Sequence, residues 1–319
     1  MAVGDFREIY GFNLDGIKQG KAHEISSKLN ILLTSKNKSK PHAKDNPYMC
    51  GFNIHCEDRF IELLINLNYT CIMVDQTTKN EHFNNMNREV TQIISPATYI
   101  DNNKVSNILL TILFENIKIK NEDKIFCSLS YCDILEGTNT IYEINKTEEY
   151  ISELYKLISV LDPQEILIIN NKCTLESIIE ELNITNYKII NYDSKYNSID
   201  FQQLILERIF KNNTQLNIFE YLNIELLNSG RLVYIYLLEF LYEHNHNILQ
   251  NINKPVLYKD DNYIKLDKET IFRLNLVKNN DYDNTNSLLH ILNHTKTAIG
   301  NRLFKNRLLR PIINSKELN

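Results

Sequence analysis

The stretch from Thr147 to Phe210, TEEYISELYKLISVLDPQEILIINNKCTLESIIEELNITNYKIINYDSKYNSIDFQQLILERIF, decides the fold class. Thr147 to Leu161 reads as a helix, and after Pro163 the apolar run Glu165 to Ile169 reads as a strand. Leu175 to Leu182 is a second helix, Lys188-Ile189-Ile190 a strand, and Phe201 to Phe210 a third helix. Strands alternating with helices imply an α/β layer architecture. Upstream, Ile108 to Phe114 and Lys124 to Leu129 are rich in β-branched and aromatic residues and extend the sheet. The turn Asp133-Ile134-Leu135-Glu136-Gly137 follows, with Gly137 supplying a permissive backbone, and Thr140 to Ile144 returns as a strand.

Beyond Asn212 the pattern becomes helical. Asn217 to Leu227 leads into Arg231 to His244, which is apolar around nearly its whole circumference and is therefore expected inside a helical domain. Asp267 is the expected N-cap of a helix carrying Ile271, Leu274 and Val277. Thr297 to Leu309 places Ile299, Leu303 and Phe304 on one face and stops before Pro311. The chain is expected to be a truncated polypeptide, because this last helical unit does not close.

The first hundred residues form a small mixed α/β unit. Asn13 to Leu29 is expected to be a helix, and Ile31-Leu32-Leu33 a short strand. Lys36 to Lys44 is a basic loop, either simply solvated or in contact with phosphates. Glu57 to Asn66 is a helix, Tyr69 to Val74 a strand, Asp75 to Asn87 a loop, and Val90 to Ile94 a strand closed by Ser95-Pro96. A boundary is expected near Asp101-Asn102-Asn103.

At 319 residues, with 43% hydrophobic and 24% charged side chains, the chain is globular and long enough for two or three domains. A net charge of −5 argues against a general nucleic-acid coat, so any polyanion would be met locally. The six cysteines form no CxxC pair and read as reduced thiols of an intracellular protein; nucleus, organelle, cytoplasm and viral factory remain equally open. Cys50, His55 and Cys56 lack a partner pair of ligands, so no metal site is assigned. The apolar run Leu232 to Leu241 is too short to span a bilayer, and no membrane partner is expected.

Near the start lies Gly4-Asp5-Phe6-Arg7-Glu8. Side chains alternate along an extended segment, so Phe6 and Glu8 share a side and offer one flat apolar wedge and one acceptor to a single ligand.

These segments, in order, resemble the N-terminal part of the MutS family of DNA mismatch-repair proteins. Gly4 to Glu8 resembles the family's GDF-aromatic-E segment, with Arg7 at the position where an aromatic is usual. Pro47 to His55, PYMCGFNIH, resembles PxMAGxPxH with Asn53 in place of the second proline, and Val74-Asp75-Gln76 stands where a CEQ-like strand end is found. Arg88 to Asp101, REVTQIISPATYID, is similar to RxVxxIxTPGTxxD, and Asp133 to Gly137 to a DxSxG turn. Leu288 to Pro311 is similar to LxxxLDxTxTxxGxRxLxxWLxxP, with Asn293 replacing the acid and Arg307 the tryptophan.

The resemblance implies an α/β multidomain chain: a mismatch-binding domain over 1–101, an RNase-H-like connector domain over 102–212 and the beginning of a mainly α-helical core or lever domain over 213–319. It implies that Phe6 stacks on a mispaired base from the minor groove while Glu8 accepts a hydrogen bond from it. Lys36, Lys38, Lys40 and Lys44 would hold the DNA backbone, with Met49 and His55 completing the DNA-binding set. Arg7 either adds phosphate affinity or packs away as a solvated surface charge. Only three residues precede Gly4, so the wedge is expected to be less firmly held than in the family. The implied partners are duplex DNA with a mismatch or small loop, a second subunit in a homo- or heterodimer, and a MutL-like protein. No GxxxxGK[ST] loop occurs, so no catalytic residue and no cofactor is assigned here; ATP and Mg belong to the expected full-length ATPase. Two alternatives stand beside this one. One is a degenerate module that binds matched or branched DNA or serves as a protein scaffold. The other is a metal-dependent nuclease built on Asp133 and Glu136, for which no further acidic ligands are evident.

Overall fold

A computed structural model describes residues 1–14, 17–43, 45–79, 86–100, 107–119, 122–144, 149–171, 173, 175–258, 263–264, 266–277 and 287–314. The boundary expected at Asp101-Asn102-Asn103 lies outside the described residues. The chain forms two compact units, Met1–Tyr99 and Ile100–Asn319.

The first unit is built on β1 (Ala2–Val3), β2 (Phe6–Leu14), β3 (Ile17–Gly20), α1 (Ala22–Leu29), β4 (Thr34–Ser35), β5 (Tyr48–Asn53), α2 (Glu57–Asn66), β6 (Cys71–Lys79) and β7 (Met86–Ile94). Five strands make one antiparallel sheet in the order β1-β2-β5-β4, with β3 paired to β2, and β6 and β7 make a separate ribbon. Ala22 and Ile25 of α1 and Leu64 of α2 pack on Cys50, with Ile9 beside them, so one face of the sheet is covered by helices.

The helix expected from Asn13 begins only at Ala22. Before it the chain doubles back as β2 and β3, pairing Leu14 with Ile17 and Gly11 with Gly20. Gly20 takes φ +74°, and a Cβ there would lie 2.1 Å from the Tyr10 carbonyl oxygen. Only glycine permits that crossing. The strand expected over Ile31-Leu32-Leu33 is absent as well: Asn30 ends α1 in the left-handed region at φ 52°, and Leu32 points into solvent. The expected loop from Asp75 is partly strand, because β6 runs on to Lys79 and β7 begins at Met86. α2 occupies the residues expected of it.

The second unit contains β8 (Ile108–Ile119), β9 (Glu122–Asp133), β10 (Thr138–Ile144), α3 (Tyr150–Leu161), β11 (Glu165–Asn171), α4 (Glu176–Leu182), β12 (Tyr187–Asn191) and α5 (Ile199–Ile209). It continues with α6 (Ile218–Tyr221), α7 (Asn228–Asn245), β13 (Val256–Leu257), α8 (Lys268–Arg273), α9 (Leu288–Leu292) and α10 (Ala298–Leu309). The sheet order is β12-β11-β8-β9-β10-β13. β8, β9 and β10 form an antiparallel meander, while β11 runs parallel to β8 and β12 parallel to β11. Leu110, Ile112 and Phe114 meet Leu154 and Leu157 of α3 and Ile178 and Leu182 of α4 on one face.

α7 covers the other face, against β8, β9 and β10. Its N-terminus is fixed to the sheet: the Gly230 N–H donates to Glu143 Oε1 at 2.7 Å and Ser229 Oγ donates to Glu115 Oε2 at 2.5 Å. A helix apolar all round was expected inside a helical domain. A broad sheet buries one side of it equally well, while α5 packs against it as well. Asp267 caps α8 as expected, accepting from the Thr270 N–H at 2.7 Å. On α10, by contrast, Ile299 and Leu303 remain exposed, while Leu309 is buried. Among the described residues no helix is long and apolar enough to cross a membrane.

Leu237 of α7 is fully buried. Leu237→Ala is expected to lower unfolding free energy by about 2–5 kcal/mol, read by chemical denaturation of the chain.

Candidate nucleic-acid interface

Gly4 and Asp5 form a two-residue turn between β1 and β2, with Val3 paired to Phe6 and Ala2 to Arg7. Gly4 adopts φ +58°, the conformation a tight hairpin asks of its first central residue. The Met1 amino group donates to the Glu8 carbonyl at 3.0 Å, and the Glu8 N–H donates back to Met1 at 2.8 Å. Phe6 is thus the first residue of a strand paired on both sides, since β5 lies along the other edge with Asn53 opposite Phe6 and Gly51 opposite Glu8. The three residues before Gly4 hold the segment rather than leaving it loose.

Alternation then divides β2. Ile9 faces the helices with Cys50, whereas Phe6, Glu8 and Tyr10 face the opposite side with Met49. Phe6 is 49% exposed. The Tyr10 hydroxyl donates to Glu8 Oε2. Glu8, Tyr10, Lys36 and Met49 line one concavity of about 410 Å³, together with Met1, Asp45 and Arg88. Three residues expected to contact DNA, Glu8, Lys36 and Met49, therefore meet at one place. Phe6 is not part of that lining, and His55 stands exposed on the turn after β5, whose Ile54 N–H donates to Asp5 at 2.9 Å. Lys38 and Lys40 are exposed on the basic loop; Lys44 lies outside the described residues.

Asn46 gives that loop its shape. Its side-chain amide donates to the carbonyls of Asn37, Lys40 and Pro41 at 3.0 to 3.1 Å and accepts from the Asn37 N–H at 2.9 Å. Asn46, Tyr10 and Arg88 escaped the sequence reading. The first two carry a usable signal: a lone amide at the end of a Lys-rich loop, and a phenol two residues beyond Glu8 on the same side of a strand.

Arg7 turns away from Phe6, and it is not a solvated charge. It is buried, with Nε 2.9 Å from Glu57 Oε2 and Nη1 paired to Asp75 Oδ1. The Asp75 carboxyl is held below its ordinary value first by the Thr91 hydroxyl and then by Arg7. Cys50 donates its thiol to the Ala22 carbonyl at 3.4 Å, and burial pushes that thiol up to about 11.

In the second unit the carboxylates that suggested a nuclease are spent on structure. Asp133 Oδ1 accepts the Leu135 N–H at 3.0 Å, its Oδ2 lies 3.0 Å from Arg302 Nη1, and Glu136 pairs with Arg302 Nη2 at 3.0 Å. Among the described residues no three His, Cys, Asp or Glu side chains are grouped to hold a metal ion. Asn293, which replaces an acid in the C-terminal motif, acts as an acceptor: its Oδ1 takes the Thr295 N–H at 3.2 Å and the Thr295 hydroxyl at 2.7 Å.

The family model for MutS domain I matches residues 2–103, and that for MutS domain III matches residues 269–319. The DNA mismatch repair protein MutS of Rickettsia bellii is 28% identical over 99% of this chain and 34% of its own length. MutS of Borreliella burgdorferi is 28% identical over 93% of this chain and 32% of its own, and that of Staphylococcus epidermidis 27% over 99% and 32%. Over nearly its whole length the chain is thus similar to MutS proteins, and two of its segments match models of MutS domains. It spans about a third of the length of these curated relatives.

The Arg7 cluster has a pH signature. A depressed carboxyl contributes stability that is complete above its unfolded value near 3.8 and is lost as pH falls through its lower folded value. Arg7→Met strands two carboxylates and is expected to cost about 1–3 kcal/mol near pH 7. Thermal unfolding from pH 7 to 2.5 should show the gap between variant and parent narrowing as Asp75 takes up its proton.

Proposed function

We propose that the first unit reads mismatched or unpaired bases in duplex DNA, as part of a MutS-like mismatch-repair protein. The observation that carries this is the half-exposed Phe6 ring at the start of a pinned strand, with the Glu8 carboxylate on the same helix-free face. Phe6 enters from the minor groove and stacks on the displaced base; such stacking contributes roughly 1–3 kcal/mol. A matched step must be unstacked to admit the ring, at a cost of a few kcal/mol. A mispaired step is already weakly stacked, so selectivity is largely a difference in deformation energy. Glu8 adds a filter, since a carboxylate brought near phosphates is tolerated where a base donor compensates it.

Lys36, Lys38, Lys40 and Lys44 supply sequence-independent phosphate contacts, with Met49 and His55 flanking the wedge. In the second unit, an antiparallel meander followed by two parallel strands supports an RNase-H-like connector. We assign α7 to that connector, because it is the layer covering the sheet, and begin the core domain near residue 269, where the domain III match starts. Dimerisation, a MutL-like partner and ATP with Mg are assigned to the longer protein.

Two measurements in the full-length protein test this. Phe6→Ala should lower affinity for a heteroduplex at least tenfold more than for the matched duplex, whereas equal losses would remove the wedge role. Replacing Lys36, Lys38 and Lys40 by Ala should weaken both duplexes alike and reduce the slope of log affinity against log salt by about 2–3.

A further inference from the structure

Glu8 has three side-chain torsions, and a carboxylate free to rotate loses that freedom when it meets a ligand. Here the freedom is already gone. Tyr10 lies two residues along β2 on the same side, opposite Met49 of β5, and its hydroxyl donates to Glu8 Oε2. Among the described residues it is the only side chain donating to that carboxylate. Burial first, and then the bond to Glu8, raise the phenol to about 12, with Arg88 opposing, so the hydroxyl keeps its proton wherever duplex DNA is intact. The other charged groups around this pair are Lys36, Asp45, Arg88 and the Met1 amino group, which share its concavity.

We propose that Tyr10 is the positioning residue for Glu8, its hydroxyl pinning one carboxylate oxygen so that the other is presented to the groove as a preset acceptor. The inference rests on the mismatch-reading function assigned to Phe6 and Glu8. A phenol has one proton, and Tyr10 spends it on Glu8. The pair therefore offers acceptors alone, and a base that brings its own N–H donor is met without further ordering of the protein. Tyr10→Phe removes the donor and keeps the ring.

The test is a double-mutant cycle in the full-length protein, scored as the affinity ratio between a duplex with one unpaired thymine and the matched duplex. Tyr10→Phe should cut that ratio about 5- to 10-fold, as expected for the net contribution of one hydrogen bond. In a Glu8→Ala background it should change nothing further. A packing role would lower the ratio equally in both backgrounds, and that result would overturn the proposal. If Phe6→Ala abolishes the ratio while Tyr10→Phe leaves it intact, the wedge stands and the positioning role fails. If Phe6→Ala leaves the ratio intact, the mismatch-reading function itself fails.

Discussion

The first unit depends on the burial of one guanidinium. Arg7 reaches inward from β2 to Glu57 at the start of α2 and to Asp75 on β6, joining three elements that are far apart in sequence. Taking a cation out of water is tolerated because two carboxylates meet it, and breaking such a pair is costlier than never having built it. The pairing also settles which way β2 faces. With a period of two, an inward Arg7 compels Phe6 and Glu8 outward, and a slip of one residue would bury both and expose the cation. A residue that departs from the family's motif thus fixes the orientation of the residues that keep it.

Much of the fold was legible because it is written locally. α2, the strands β8 to β12 and the helices between them announce themselves through β-branched runs, Pro163 and helical apolar stretches. The Asp267 cap is likewise a single-residue signal. What failed depended on contacts between distant residues. Leu14, Ile17, Ile25 and Leu29 fit a helix by spacing, yet Gly20 must cross the Tyr10 carbonyl, which no local pattern records. α7 has an apolar circumference whichever partner covers it, so the sequence alone could not distinguish a sheet from other helices.

The candidate site divides along the same line. Glu8 and Met49 were legible as motif members and Lys36 as part of a basic loop, and the fold brings the three to one concavity. Tyr10 was overlooked because its role is a bond to a neighbour, and Arg88 because β7 delivers it from almost eighty residues away. Asp133 and Glu136 show the reverse case. Acidic residues around a glycine turn suggest metal chemistry, but Arg302 from α10 answers both carboxylates. A residue type constrains chemistry only until its partners are known.

The two-residue turn at Gly4 and Asp5 has a mechanical meaning. A ring mounted one residue past a hairpin bend, on a strand bonded along both edges, sits on a very short cantilever. It has little compliance of its own. Where the ring stands is therefore set by the sheet as a whole and not by a loop of its own, so its aim is inherited from every strand that pairs beside it.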